Sequence, residues 1–327
     1  MKKESKRHIL STVAVILAAV AAVTVLFVLH HKQQQEKAHQ PEESVSQAED
    51  NTIEWNGKRY TYNNNLINIL FLGIDHANDI DTSYMPGDAG QADCIMLLSL
   101  DKETKEGRIL QINRNTMTQI DTYDSTGSAF GTVNAQLATQ YAYCIGGSRS
   151  CWATEKTVKK LLYNLPISGY FALSVDGISE INDALGGVTV KMTEEDAAIN
   201  PAFEAGKEVC LKGADAENYV RYRDTNAFNS NEGRMQRQVK YVTALIKNAR
   251  SHGGSALYNI ISPFLDKYIE TDLDGDQIDA LSSYTYLTDE VAYLPGETVM
   301  GEEFEEFHLD EESLQEQLIR TYYKEVN

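Results

Sequence analysis

A run of 21 uncharged residues, Ile9–Leu29 (ILSTVAVILAAVAAVTVLFVL), divides this chain into unequal parts. As a helix it would be about 32 Å long, enough to cross a hydrocarbon core of about 30 Å. Lys2, Lys3, Lys6 and Arg7 precede it, and a glutamine- and glutamate-rich segment follows. That asymmetry predicts residues 1–8 in the cytoplasm, 9–29 across the membrane and the rest outside. A cleaved signal peptide is the competing reading. Its apolar region would be shorter, about 7–15 residues, and would end in a small-residue cleavage site. Here Ala18, Ala19, Ala21 and Ala22 sit in the middle of the run.

Residues 30–52 hold almost no large apolar side chains, so they read as a stalk that cannot bury enough surface to offset its ordering entropy. Residues 53–327 are long enough for one large domain. The chain carries a net charge of −19, and residues 1–32 contribute five cations against Glu4, so the rest stands near −23. Such acidity argues against nucleic acid as a partner. Yet the stretch Arg221–Gln238 holds four of only eleven arginines. Arg221 and Arg223 alternate as on one face of a strand, and Arg234 and Gln238 are spaced as on one face of a helix. A local arginine cluster on an acidic protein predicts a pocket for a specific anion; surface ion pairing is the bland alternative.

Short apolar runs at Asn68–Asp75, Cys94–Leu100 and Arg108–Ile112 read as buried strands, the last two forming an antiparallel hairpin. Asn134–Tyr143 and Trp152–Tyr163 read as helices, Tyr170–Val175 as a strand, Ile178–Leu185 as a helix and Val188–Met192 as a strand. A helical run from Gly213 reaches the arginine stretch, and Glu232–Arg250 is a long amphipathic helix. Further helices are expected around 255–268, 277–286 and 312–323. The pattern predicts one α/β domain, a mixed central sheet flanked by helices on both faces. Of the four cysteines, Cys144 and Cys151 flank a short glycine-containing loop, and a disulfide between them is expected outside the cell; Cys94 reads as buried. Zinc spacings, a Walker loop and a Gly-x-Ser-x-Gly elbow are all missing from the sequence. Asp272, Asp274 and Asp276 lack EF-hand spacing and read as a helix N-terminus.

Five stretches, in order, resemble the LytR-CpsA-Psr family: ILFLGID; QADCIMLLSLDKETKEGRILQINRNT; VNAQLATQYAY; ISGYFALSVDGISEINDALGGVTVKM; and AENYVRYRDTNAFNSNEGRMQRQ. They cover about residues 67–250. The resemblance implies a membrane-anchored extracellular enzyme that moves a glycopolymer, a teichoic acid or capsular polysaccharide, from an undecaprenyl-pyrophosphate carrier onto peptidoglycan. By position, Arg114, Arg221, Arg223, Arg234 and Gln238 match its phosphate-binding residues. Asp75 and Asp93 match acidic positions near a divalent cation, expected to be Mg²⁺, and Asp93 and Arg114 are the candidate catalytic pair. Arginine suits the task, because its fork of donors fits phosphate oxygens. A polyprenyl tail also implies an apolar pocket beside the arginines, with Ile95, Leu97, Phe171, Leu173, Val175 and Ile181 as candidate lining, together with the apolar stripe of the long helix (Met235, Val239, Val242, Ile246).

The sequence departs from the family pattern at four places. Gln91 stands for an arginine, Asn115 for an aspartate, Thr132 for a lysine and Asn231 for an acidic residue. Asn115 and Asn231 can hydrogen-bond but cannot act as bases. A non-catalytic binder of polyprenyl phosphates or envelope glycans, possessing the arginines but a degenerate site, is therefore the second reading. An adhesin whose arginines are all ion-paired is the third.

Overall fold

The computed structural model describes residues 52–75, 80, 85–224, 226–252, 254–281, 283–287 and 290–326. The expected cytoplasmic segment, membrane helix and nearly all of the stalk lie outside the described residues. Among the described residues no helix is long and apolar enough to cross a membrane.

The strands, in chain order, are β1 (Thr52–Trp55), β2 (Lys58–Tyr62), β3 (Leu66–Ile74), β4 (Ala92–Asp101), β5 (Glu106–Ile112), β6 (Met117–Tyr123), β7 (Ala129–Gln136), β8 (Gly169–Ser174), β9 (Val188–Lys191), β10 (Glu208–Leu211), β11 (Ile269–Thr271), β12 (Thr285–Tyr286), β13 (Ala292–Tyr293), β14 (Gly296–Met300), β15 (Glu305–Leu309) and β16 (Tyr323–Val326). The helices are α1 (Thr139–Ala142), α2 (Gly147–Leu161), α3 (Ile178–Ala184), α4 (Ala214–Arg221), α5 (Ser230–His252), α6 (Gly254–Ile261), α7 (Gly275–Leu281) and α8 (Glu311–Tyr322).

A seven-stranded sheet in the order β11-β8-β3-β4-β5-β12, with β13 also on β5, forms the centre. β3 and β8 are parallel, whereas β3, β4 and β5 run antiparallel in succession, so the sheet is mixed and the expected hairpin is present. Alternation along the buried strands supplies two cores. Ile69, Phe71, Cys94, Met96 and Leu98 face the layer that includes α3 to α7. Leu70, Leu72, Ile95 and Leu97 face α1, α2 and α8. Helices thus cover both faces.

Several elements differ from expectation. Asn134–Gln136 belongs to β7, which pairs with β6 along its length, leaving only Thr139–Ala142 helical. The cross-strand ladder overrides a sequence pattern that also suits a helix. The helix expected over 255–268 stops at Ile261, where Ser262–Phe264 form a 3₁₀ turn containing Pro263, and Ile269–Thr271 joins the sheet edge. Proline disfavours a helical residue before it and lacks a donor N–H. The segment 277–286 likewise ends its helix at Leu281, and Thr285–Tyr286 pairs with β5.

The expected Cys144–Cys151 disulfide is not formed; all four cysteines are free. Cys144 packs with Tyr123 and Ala153, whereas Cys151, on α2, points into the core with Leu70 and Val158. Helix α2 starts between them, at Gly147, and turns the two thiols into different clusters. Burial raises both thiols above their ordinary pKa. Asp274 and Gln277 cap α7 reciprocally: each main-chain N–H donates to the other's side-chain oxygen at 2.8 Å. Asp176–Gly177 is a packing turn, since a Cβ on Gly177 would lie 2.4 Å from that of Tyr268.

Candidate phosphate-binding site

Asp93 reaches the site through an irregularity in the β3–β4 ladder. Gly73 pairs with Cys94, but Ile74 pairs with Ala92, so Asp93 is the extra residue of a bulge. A bulge bends the strand and re-aims one side chain. Beyond it the alternation resumes, which is why both Ala92 and Ile95 are in the same core. Gly73 permits the close approach here: a Cβ on it would lie 2.8 Å from that of Cys94.

Arg114 follows the end of β5. The last β4–β5 pair is Ile95 with Ile112, so two residues further on each strand bring Asp93 and Arg114 together. Arg114 Nε lies 2.7 Å from Asp93 Oδ1. From the other side, α5 delivers Arg234, whose Nη1 donates to Asp93 Oδ2 at 2.7 Å. One carboxylate thus carries two guanidinium groups, and both arginine side chains are largely buried. Burial lowers the pKa of Arg234, and Asp93 opposes that shift; arginine nevertheless remains a cation.

The residues that depart from the family pattern hold these same arginines. Arg114 also donates to Gln91 Oε1 and, at 3.2 Å, to Asn115 Oδ1. Arg234 Nη2 donates to Asn231 Oδ1 at 2.7 Å, while Asn231 Nδ2 donates to Asn113 Oδ1 at 3.1 Å. Neutral amides therefore orient the guanidinium groups without neutralising them. Each guanidinium has five N–H groups. Neither Arg114 nor Arg234 spends all of them here, and Arg234 Nε has no hydrogen-bond partner among the described residues. Thr132 lies away from this cluster, exposed on β7 opposite Asp121.

Asp75 follows β3 and accepts the Gln91 main-chain N–H at 2.5 Å. The surrounding protein raises its pKa first, and the nearby Asp93 carboxylate adds to the shift; Gln91, Arg114 and Arg234 pull it down. Among the described residues no arginine or lysine bonds Asp75 directly.

Asp75, Asp93, Arg221, Arg234 and Gln238 line one cavity of about 190 Å³. Its remaining wall is mainly apolar and includes Phe71, Leu173, Val175, Ile178, Val242 and Leu245. Leu173, Val175 and, from the stripe of the long helix, Val242 were among the expected lining residues. Ile95 and Leu97 were also expected there, but strand alternation turns them to the opposite core. Phe171 and Ile181 pack in the core on the cavity side without lining it. At this volume the cavity could hold only part of a drug-sized ligand.

The four candidate arginines converge only in part. Arg221 ends α4 and reaches the cavity wall, but its Nη1 pairs with Glu217 at 2.9 Å. Arg223 donates from Nε to Ser230 Oγ at 3.1 Å, near enough to Arg234 to depress its pKa. The one-face strand expected for Arg221 and Arg223 is replaced by a helix end and a linker. Arg237, the stretch's remaining arginine, turns inward to the carbonyls of Tyr219 and Tyr222. Gln238 donates to Val220 O at 3.5 Å, and its Oε1 is buried without a donor among the described residues. Tyr241 and Val220 also line the cavity and escaped the sequence reading, because helical apolar residues look alike whether they line a core or a cavity.

The LytR_cpsA_psr family matches residues 25–319, and the chain belongs to that family. A polyisoprenyl-teichoic acid–peptidoglycan teichoic acid transferase, TagU of Oceanobacillus iheyensis, is 27% identical over 241 residues, 72% of this chain and 69% of that protein. TagU of Bacillus mycoides is 28% identical over 212 residues, which span 65% of this chain and 62% of that protein, less than two thirds of its length. Among solved structures, TagT bound to LIIa-WTA gives a TM-score of 0.58 at 20% identity, covering 79% of this chain and 91% of that one. TagV of B. subtilis gives 0.57 at 22% identity, covering 79% and 97%. At these identities the structural likeness is one of fold.

Proposed function

We propose that the chain transfers a glycopolymer phosphate from a polyprenyl-pyrophosphate carrier to a hydroxyl of peptidoglycan. The observation that carries this reading is Asp93 bracketed by Arg114 and Arg234, with Asp93 and Arg234 lining a largely apolar cavity. The names of its relatives, TagU among them, point the same way. The guanidinium groups would hold the pyrophosphate by charge-assisted bonds, each worth about 1.5–3 kcal/mol. The cavity would take the first part of the lipid. The acceptor oxygen attacks the phosphorus bound to the glycan, the phosphoanhydride bond breaks, and polyprenyl phosphate leaves with the bridging oxygen.

The hydroxyl proton needs a carboxylate. Asp93 is engaged at both oxygens, so Asp75, with its raised pKa, is the better acceptor. Two neighbouring carboxylates also suit Mg²⁺, which binds through one or two carboxylates together with substrate phosphates. Asp93 would hold it through the lone pairs that its two arginines leave open, and Asp75 would add a ligand when it is not carrying the proton. When bound, it would neutralise part of the pyrophosphate charge.

The membrane run at 9–29 would anchor the domain outside the cell, near its lipid substrate. Protease applied to intact cells should then remove the domain; a protected domain would reverse this topology. Incubating the full-length chain with radiolabelled lipid-linked glycan and peptidoglycan oligosaccharides tests the function. Mg²⁺-dependent transfer of label is expected. Binding without transfer would favour a non-catalytic carrier, a reading that the amides Asn115 and Asn231 around the arginines support. No binding would overturn both.

A further inference from the structure

Glu305 opens β15, in the region after residue 250 where no sequence motif announced a role. The residue is 8% exposed. Its Oε1 accepts the main-chain N–H of Asn229 at 2.7 Å, and its Oε2 is buried with no hydrogen-bond partner among the described residues. Its carbonyl accepts Gln136 Nε2 at 2.7 Å, which fixes the residue to the end of β7. Two residues on, Phe307 N–H donates to Asn115 O at 2.9 Å and bridges to Thr116. β15 therefore touches the segment that carries Arg114 on one side and Asn229 on the other.

Asn229 is the last residue before α5 and has φ of +59°, a left-handed conformation that asparagine adopts more readily than other non-glycine residues. Ser230 next to it takes Arg223, and Asn231 takes Arg234. A carboxylate at this place is also favoured by the N-terminal dipole of the long helix. Burying it with one oxygen unmatched is costly. A methionine or leucine would fill the same space without that cost.

We infer that Glu305 is a positioning residue: it holds Asn229, and through it the Arg223 linker and the first turn of α5, against the segment bearing Arg114. The inference rests on the proposed transfer function for its consequence, but the restraint itself is measurable without substrate. The test uses the full-length chain in detergent micelles, as wild type, E305A, E305Q, R223A and E305A/R223A. Without ligand, amide hydrogen exchange across 224–232 should quicken about tenfold in E305A and by less in E305Q, while β3 and β8 stay protected. The dissociation constant for undecaprenyl pyrophosphate should rise about tenfold in E305A. Adding E305A to R223A should weaken binding little further, since both act through one linker. Should E305A fail to fold, E305Q, which keeps the volume and an acceptor, carries the test through a smaller shift in the same direction. Unchanged exchange and unchanged affinity would overturn the role of Glu305, as would losses that add fully to those of R223A. A wild-type chain that does not bind the probe would instead overturn the transfer reading, with the exchange result still deciding the restraint.

Discussion

At the scale of single residues, charge is concentrated on Asp93. One carboxylate compensates two largely buried cations, so its removal leaves both exposed to their desolvation cost. Asp93→Asn should destabilise the domain by about 1–3 kcal/mol, read from urea unfolding. In metal-free buffer the same variant should bind inorganic pyrophosphate more tightly, because the guanidinium groups lose their internal competitor; calorimetry with equal or weaker binding there would sink this account. Glu155 offers a pH test remote from the site. Burial first, then Asp272, raises its pKa to about 7 from 4.5, with Lys159 opposing. The folded state then keeps a proton that the unfolded chain has released. The resulting stability is fully present below about pH 4.5 and is lost as pH rises through about 7. Glu155→Gln should therefore melt higher than wild type at pH 8 and equally at pH 4.5. A variant less stable than wild type at pH 8 would contradict this.

At the scale of elements, the bulge in β4 and helix α5 divide the labour. The strand irregularity aims one acid, and the helix brings Arg234 and Gln238 one turn apart along one side. The helix carries a weakness in its first turn, Gly233. A Cβ there would meet only Arg237 Nη1 and Glu195 Oε2, both at 3.6 Å, an ordinary contact distance. Gly233→Ala should thus stabilise the protein by up to about 1 kcal/mol through helix propensity, seen as a higher melting temperature with pyrophosphate binding retained. Loss of stability would mean that the helix start needs the glycine for a reason other than space.

At the scale of the whole molecule, the two faces of the central sheet serve different ends. The face with Leu70 and Leu97 is packed against α1, α2 and α8, while the other face opens beside the arginines into the cavity. Leu97→Ala, at a fully buried position, should cost about 2–5 kcal/mol and leave lipid-pyrophosphate affinity unchanged. Leu245→Trp, at the cavity wall, should do the reverse: block the lipid with little change in stability. Equal effects of the two substitutions on binding would deny the division between faces.

Much of this was legible in the sequence because it is local. Strand runs such as ILFLGID and CIMLLSL declare themselves through apolar continuity, and the β4–β5 turn follows from the short charged segment between CIMLLSL and the run Arg108–Ile112. Asp75, Asp93, Arg114 and Arg234 could be nominated from their places at the ends of such runs and from the ordered family motifs. What the sequence by itself determined was therefore the class of fold, the family and the residues able to hold an anion. Tertiary structure decided how these residues are divided. Ladder registration made Asp93 a bulge residue and turned Ile95 and Leu97 away from the cavity. The start of α2 kept Cys144 and Cys151 apart, and the end of α4 paired Arg221 with Glu217. Glu305 entered the neighbourhood from a segment with no motif of its own. Each outcome depends on a contact between residues distant along the chain or on the direction of a side chain, and neither is set by local composition.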